Sequence, residues 1–494
     1  MYQSFIGLEV HIHLLTKTKV FCNCLSAFGD EPNTHICPVC MGYPGALPSL
    51  NIDAMRIGCT VARSLNCRIP EKTWFERKQY FYPDMTKNYQ ISQFASPLGQ
   101  EGYLDLDVQN GVKRIRIKEC HLEEDAGKMI HSGAVSLLDY NRAGVSLLEI
   151  VTEPDMETGE EAELFIRRLR RMVRYLEASD GNMEEGSLRA DANVSINFPG
   201  KGLGRKVEIK NLNSSRFVKL ALNYEIARQG ELLDAGKIVV QETRLWNENR
   251  DETAPMRTKE NAQDYRYFPE PDLPVFVPDA AFLKAVEDSL VELPQARIRR
   301  VIAEYGLGEE QAEIICDEKA GADYFEEAVS QAVSLGLEKR DAAERISHWF
   351  LSEIRHILAR EGIPIQKVGG FTLTPLRLAA LTALIVKGAV STKNAKQTLE
   401  AVIAEDRNPE VIIAERGWER ITDPAAIAGA INAVLAAESD IIDHIRAAIA
   451  ANNPKRRHTL TAYLVGKVLA ATGGRADPKI AGTQVEALIE ARGS

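Results

Sequence analysis

Polar and apolar residues alternate strictly in three stretches of the chain. From Ile6 to His13, Leu8, Val10 and Ile12 fall on one side and Glu9, His11 and His13 on the other. From Arg114 to Lys118, basic residues alternate with Ile115 and Ile117. From Leu188 to Ile196, Leu188, Ala190, Ala192 and Val194 oppose Arg189, Asp191, Asn193 and Ser195. A period of two marks half-buried strands, so residues 1 to about 245 read as a largely antiparallel sheet region. One helix interrupts it. Thr158 and Glu161 form a capping-box pattern, after which Ala162, Phe165, Leu169, Met172 and Leu176 recur at helical spacing. Arg167, Arg168, Arg170, Arg171 and Arg174 crowd the rest of that helix and read as a solvated face rather than an RNA contact.

Pro255, Pro269, Pro271, Pro274 and Pro278 resist both helix and central strand, and predict a connector. Beyond it the pattern turns helical. Pro294 stands at a helix start and Gly306 at its end, Ala342–Leu358 and Leu376–Val386 continue, Gly369–Gly370 offers a hinge, and the last ninety or so residues are alanine-rich. The fold class is therefore α+β, an antiparallel sheet followed by all-α parts, with boundaries expected at 1–290, 291–405 and 406–494. A length of 494 residues agrees with about three domains.

The formal charge of −10 argues against a chain that coats nucleic acid nonspecifically, while leaving room for a confined basic patch. Met1–Val10 lacks the features of a secretory signal, and the apolar stretch Ala425–Ala437 is broken by Asn432 and too short for a bilayer. A cytoplasmic, reducing setting follows, and it changes how the cysteines read. Cys22 and Cys24, then Cys37 and Cys40, form a CxC and a CxxC motif with twelve residues between them. Four thiolates so spaced suit a closed tetrahedral zinc site that pins a long loop, in preference to a redox pair, which needs only one motif.

The polar strand faces are unusual in what they carry. Glu9 and His11 share one face, Arg189, Asp191 and Asn193 another, and Glu149 stands alone in the apolar run Leu147–Val151. A lone carboxylate in such a run needs a positive partner. Glu123, Glu124 and Asp125 follow the basic strand, and Glu208 shares a face with Lys210. Carboxylates with one imidazole suit Mg²⁺ or Mn²⁺, and nearby cations suit phosphate oxygens, which together are the parts of a phosphoryl-transfer site. Salt bridging at a sheet surface is the alternative, and spacing alone leaves both open. No G-x-x-x-x-G-K-[ST] loop exists, so any nucleotide site is not a P-loop.

Longer motifs then carry a resemblance. Ile6-Gly-Leu-Glu-Val-His-Ile, Lys78-Gln-Tyr-Phe-Tyr-Pro-Asp, His121-Leu-Glu-Glu-Asp-Ala-Gly-Lys, Asp139-Tyr-Asn-Arg-Ala-Gly, Gly186-Ser-Leu-Arg-Ala-Asp-Ala-Asn-Val-Ser and Asp264-Tyr-Arg-Tyr-Phe-Pro-Glu-Pro-Asp resemble, in order, the GatB family of tRNA-dependent amidotransferase subunits. The resemblance covers nearly the whole chain, and the tail resembles that family's YqeY-like helical domain. It implies a cradle domain that uses ATP and Mg²⁺ to phosphorylate the side-chain carboxylate of Glu on mischarged tRNA-Gln or of Asp on mischarged tRNA-Asn. Ammonia from a glutaminase partner, GatA, then attacks, with a small subunit, GatC, completing a heterotrimer. That activity is a carbon–nitrogen ligase with glutamine as amido donor.

Carried over by motif, the resemblance implies that His11, Glu124 and Glu149 hold Mg²⁺, with Glu9 and Asp191 close by. The choice of Glu124 over Glu123 comes from the family alone. Arg189, Asn193 and Lys210 are expected at phosphate or nucleotide, and Lys78, Tyr80 and Tyr82 along an ammonia path. Zinc at the four cysteines is a structural expectation. Between Pro454 and Lys479, six cations (Lys455, Arg456, Arg457, Lys467, Arg475, Lys479) face one acid, Asp477, a local +5 (6 − 1) that fits tRNA phosphate. The competing class is a zinc-containing tRNA-binding scaffold without catalysis.

Overall fold

A computed structural model describes residues 2–109, 111–258 and 264–491. The chain divides into two compact units, Met1–Pro294 and Gln295–Ser494.

In the first unit, β1 (Gln3–His13) is followed by α1 (Ile52–Ser64), β2 (Glu76–Gln79), β3 (Tyr89–Ser92), β4 (Gly99–Val108) and β5 (Gly111–Glu124). A hairpin of β6 (Lys128–Ser132) and β7 (Val135–Asp139) precedes β8 (Ser146–Thr152), α2 (Gly159–Tyr175), β9 (Leu188–Asn197), β10 (Val207–Leu212) and α3 (Ser215–Asp234). β11 (Glu242–Asn247), β12 (Glu252–Thr258), β13 (Phe268–Pro269) and α4 (Ala280–Asp288) complete it. Eight strands form the main sheet in the order β12-β11-β10-β9-β1-β8-β5-β4. Every described pairing in it is antiparallel except β10 with β11, which α3 joins as a crossover. A smaller sheet runs β13-β2-β3.

The three alternating stretches lie in β1, β5 and β9, and the alternation sorts the sheet into two faces. Leu8, Val10, Ile12, Leu148, Ile150, Ala190, Ala192 and Val194 are all buried, in one core with Met55 and Ala62 of α1, Phe165 and Leu169 of α2, and Val218 and Leu222 of α3. The opposite face keeps the charged residues. Helices thus cover one side of the sheet and leave the other for chemistry.

Some local expectations resolve differently. Thr158 caps α2, its hydroxyl accepting from Glu161 N at 3.1 Å, but the Glu161 carboxylate reaches back one residue further, to Glu157 N at 2.7 Å. Glu161 also pairs with Lys113 at 2.9 Å, and that pull accounts for the shift. The arginine face is only partly solvated: Arg168 pairs with Asp107 at 2.6 Å, and Arg170 donates to the Gly181 carbonyl at 2.8 Å. Pro255 sits in a strand, not a connector. Its strand β12 is the sheet edge, opposite Arg244 beside a bulge, and an edge needs no inward N–H from it. β5 runs to Glu124, so the acids expected after the strand begin inside it.

The second unit is helical. Pro294 opens the helix Pro294–Tyr305, and Gly306 ends it at φ +73°. The run at Ala342–Leu358 is continuous but contains one wide π turn, Phe350–Ile354, between Lys339–Trp349 and Arg355–Arg360. Gly369 and Gly370 close a 3₁₀ segment. Two separate buried clusters appear, one within Ile298–Ile413 and one within Ile427–Ile489. Among the described residues no single helix is long and apolar enough to cross a membrane.

Candidate functional site

Strand register builds the site. His11 lies opposite Glu149 on β8 and Arg189 on β9, and Glu149 lies opposite His121 on β5. Glu9 lies opposite Asp191, and Asn193 opposite Glu208. Facing partners share a sheet face, so Glu9, His11, Glu149, His121, Arg189, Asp191, Asn193 and Glu208 converge although they come from five strands. His11 Nε2 stands 3.6 Å from Glu149 Oε2, 3.8 Å from Glu123 Oε1 and 4.0 Å from Glu9 Oε1. Lys210 bridges Asp191 and Glu208, the latter at 3.0 Å.

Glu123 and Glu124 divide the other way from the family-derived expectation. Glu123 is on the His11 face and accepts from the Ser92 hydroxyl at 3.0 Å. Glu124 alternates to the far side, where Lys87 and the Ile91 N–H, at 2.9 Å, hold its carboxylate. Period-two spacing from His121 was the signal for Glu123, since residues 121 and 123 must share a face.

The electrostatics describe a face with too much negative charge. Burial pushes the Glu9 and Glu123 carboxyls up, and the Glu149 charge adds to both. Burial would push His11 down, but the Glu149 contact and the charges of Glu149, Glu123 and Glu9 prevail and raise it to about 9. Burial would likewise raise Glu149, yet its contact with His11 and the charges of His11, His121 and Lys78 hold it at about 2. One ligand atom from each of Glu9, His11 and Glu149 lies within 4.8 Å of the others. Hard oxygen donors, one imidazole and surplus negative charge fit a divalent cation such as Mg²⁺ or Mn²⁺. Arg189 Nε and Asn193 Oδ1 are buried on this face without a hydrogen-bond partner, so the same surface holds polar groups still to be satisfied.

Lys78, from β2, approaches the cluster from the side. Its ammonium lies 5.1 Å from the Tyr265 ring centre, and although burial opposes it, Glu123, Tyr267 and Glu149 raise its pKa. Tyr80 and Tyr265 meet edge to face at 6.2 Å, and Tyr265 meets Tyr267 in the same way. Tyr82 instead occupies an exposed turn, its carbonyl accepting from Met85 N. Tyr265 and Tyr267 were missed as site residues, although the motif at 264–272 that contains them was the signal.

Next to this face, Asp125 is buried and gathers three bases: His13 at 2.7 Å, Arg189 at 2.9 Å and Arg142 at 3.4 Å. Burial would raise its carboxyl, but Arg189, His13 and Arg142 hold it far below the usual range. Asp125→Ala should therefore destabilise the fold by about 3–5 kcal/mol in urea unfolding, because it strands those bases. A depressed carboxyl contributes fully above its unfolded value of about 3.9 and loses that contribution only as pH falls below it, so titration of Asp125 itself should add no pH dependence to the deficit from pH 5 to 8.

The four cysteines also converge. Their Sγ atoms lie within 4.8 Å of one another, with Cys37 and Cys40 at 3.8 Å. A zinc–sulfur bond of about 2.3 Å in a tetrahedron needs sulfurs about 3.8 Å apart, so the set fits zinc. The Cys37 N–H donates to Cys40 Sγ at 3.2 Å. Cys40 is held at about 4, first by its contact with Cys22 and further by Cys37 N–H and Lys19. Lys19 is wholly buried, its ammonium 2.8 Å from the His35 carbonyl, 3.2 Å from that of Tyr140 and 3.7 Å from Cys40 Sγ. Thr86 donates to the Cys40 carbonyl at 2.6 Å, beside the Lys87–Glu124 pair, and so ties the cysteine loop to the end of β5.

In the second unit, Lys455, Arg456 and Arg457 occupy the first turn of the helix Pro454–Ala471, and Lys479 the first turn of Pro478–Ala491. Lys455, Arg456 and Lys479 are exposed. Arg475 is committed to the fold, donating to the carbonyls of Thr472 at 3.1 Å and Gly417 at 3.0 Å. Lys467 pairs with Glu438 at 3.1 Å.

A helix-backed antiparallel sheet with an acid-and-imidazole cluster on its open face defines an α+β catalytic domain. Residues 4–284 match the family described as the GatB/GatE catalytic domain, and residues 323–489 match that described as the GatB domain, which begins well before residue 406. Relatives from Carboxydothermus hydrogenoformans and Thermodesulfovibrio yellowstonii, each 43% identical, and from Thermoanaerobacter pseudethanolicus, 44% identical, are all named as B subunits of aspartyl/glutamyl-tRNA(Asn/Gln) amidotransferases. Each alignment covers 97% of this chain and 97% of the relative. The chain belongs to the GatB family and carries its catalytic domain.

Proposed function

We propose that this chain is the activating subunit of a tRNA-dependent amidotransferase. It uses ATP to phosphorylate the side-chain carboxylate of Glu or Asp on mischarged tRNA and so prepares it for ammonia. The observation that carries this reading is the convergence of Glu9, His11 and Glu149, with Glu123 3.8 Å from His11, on the sheet face that also carries Lys210 and Arg189. Glu9, His11 and Glu149 would hold Mg²⁺, with Glu123 beside His11, and the ion when bound supplies charge neutralisation at phosphoryl oxygens. In this reading Glu123, on the His11 face, has the role that the resemblance implied for Glu124.

The remaining roles belong to side chains. Lys210, kept charged between Asp191 and Glu208, and Arg189, whose Nε has no partner, are placed to bind phosphoryl oxygens. Asn193 orients beside them. A carboxylate resists attack by ammonia, and phosphorylation gives it a leaving group. Lys78 and Tyr80, with Tyr265 and Tyr267, form the polar and aromatic side of the cluster from which ammonia would arrive, supplied by a glutaminase partner of the GatA type held with a GatC-type small subunit. Zinc at the four cysteines is structural, because four thiolates leave no open position.

tRNA is bound by the second unit. Cations in a helix's first turn meet the positive end of its dipole, so Lys455 and Arg456 are unfavourable there unless an anion arrives. Lys455→Glu with Arg456→Glu should raise KM for mischarged tRNA at least tenfold and leave ATP affinity unchanged. Amidation assayed with the purified glutaminase and small-subunit partners, on both mischarged tRNAs, tests the whole reading. A chain that binds no ATP·Mg²⁺ by titration calorimetry would be the noncatalytic scaffold.

A further inference from the structure

Lys19 is wholly buried, a place that lysine rarely takes without an anion beside it. Its ammonium donates to the carbonyls of His35, at 2.8 Å, and Tyr140, at 3.2 Å, and to Cys40 Sγ, at 3.7 Å. Two carbonyls solvate a cation but bring no charge. Among the described residues no carboxylate pairs with it, and Glu124, across Gly144 from it, is already taken by Lys87. The counter-charge therefore has to come from sulfur. The cysteine cluster has the matching excess. Four thiolates around one divalent ion leave a net charge of two minus, and Cys22 and Cys40 are buried. A buried anion needs a cation as much as a buried ammonium needs an anion. The Tyr140 carbonyl belongs to the turn 139–144, which carries Arg142 to Asp125.

We infer that Lys19 is the counter-cation of a dianionic four-thiolate zinc centre, a positioning residue that neutralises the sulfurs and fastens them to the turn carrying Arg142. The lysine meets sulfur from outside the ligand set, so it tunes the centre without filling a coordination position. A lysine held only by its two carbonyls would steady the loop equally with the metal and without it. The inference rests on the proposed zinc reading of the cysteines and not on the proposed phosphoryl transfer.

The test uses the full-length chain, with Lys19→Met to remove the charge and Lys19→Gln to remove it while keeping donors for the carbonyls. Zinc affinity is measured by chelator competition, and urea unfolding is followed for zinc-loaded and zinc-stripped chains. Both variants should bind zinc about 10–100-fold more weakly. The stability lost on stripping should be smaller in each variant than in the wild type, because zinc binding and the lysine charge are linked. In the cobalt-substituted chain the sulfur-to-cobalt absorption should move to longer wavelength, since losing a nearby cation raises the sulfur electrons in energy. Unchanged zinc affinity, an unmoved cobalt absorption, or an equal stability loss with and without zinc overturns the inference. So does failure of both variants to fold even when stripped of zinc, where no dianion is left to neutralise. A wild-type chain that carries no zinc defeats the zinc reading instead, so the two failures are distinguishable.

Discussion

Glu149→Gln is expected to lower ATP-dependent amidation about 10²–10³-fold and, because His11, His121 and Lys78 hold its carboxyl at about 2, to lower stability as well. Glu149 sits opposite both His11 and His121, and its charge raises the Glu9 and Glu123 carboxyls. Removing that charge relieves the two acids but takes a partner from His11 and His121, so activity and stability are measured separately. Initial rates in the reconstituted complex, a Mg²⁺ titration and urea unfolding separate the two roles. The neighbouring acids sharpen the test. Glu123→Gln should lower amidation as Glu149→Gln does, without the same cost in stability, because burial and the Glu149 charge push its carboxyl up. Glu124→Gln should mainly loosen the Lys87 and Ile91 contacts and lower stability. The reverse ordering would restore Glu124 to the metal site and remove Glu123 from it.

Cys40→Ser should release the zinc, taking the metal content from about one ion per chain to near zero, because a three-thiolate remnant cannot close the tetrahedron. The loop around Cys22–Cys40 should then become the first site of limited proteolysis. Amidation should fall as well, through the loop's tie at Thr86, next to the Lys87–Glu124 pair, rather than through lost chemistry. A wild-type chain that contains no zinc, or a Cys40→Ser chain that keeps it, would remove the metal from this account. The Lys19 ammonium, on two carbonyls as well as Cys40, should hold part of the loop in the variant.

Much of the sheet was legible because a half-buried strand writes its two faces into alternate positions. β1 and β9 could be read residue by residue, and the polar face so isolated is the one that converges. What could not be read was pairing: nothing local says that β8 lies between β1 and β5, so Glu149 and His121 meet only once the topology is known. Pro255 misled because its propensity is that of a loop, and only an edge position tolerates it in a strand. The two adjacent acids are a different case: family resemblance names a motif, while the pleat decides which of them lies on the His11 face.

Three consecutive acids at the end of β5 serve three separate duties. Glu123 looks to the imidazole, Glu124 fastens Lys87 and the Ile91 N–H, and Asp125 collects His13, Arg142 and Arg189. A single inserted or deleted residue upstream in β5 would rotate all three by one step of the pleat and vacate every post together. Length variation among functional versions of this chain should therefore be absent from residues 111–125 and collect in the turns outside them.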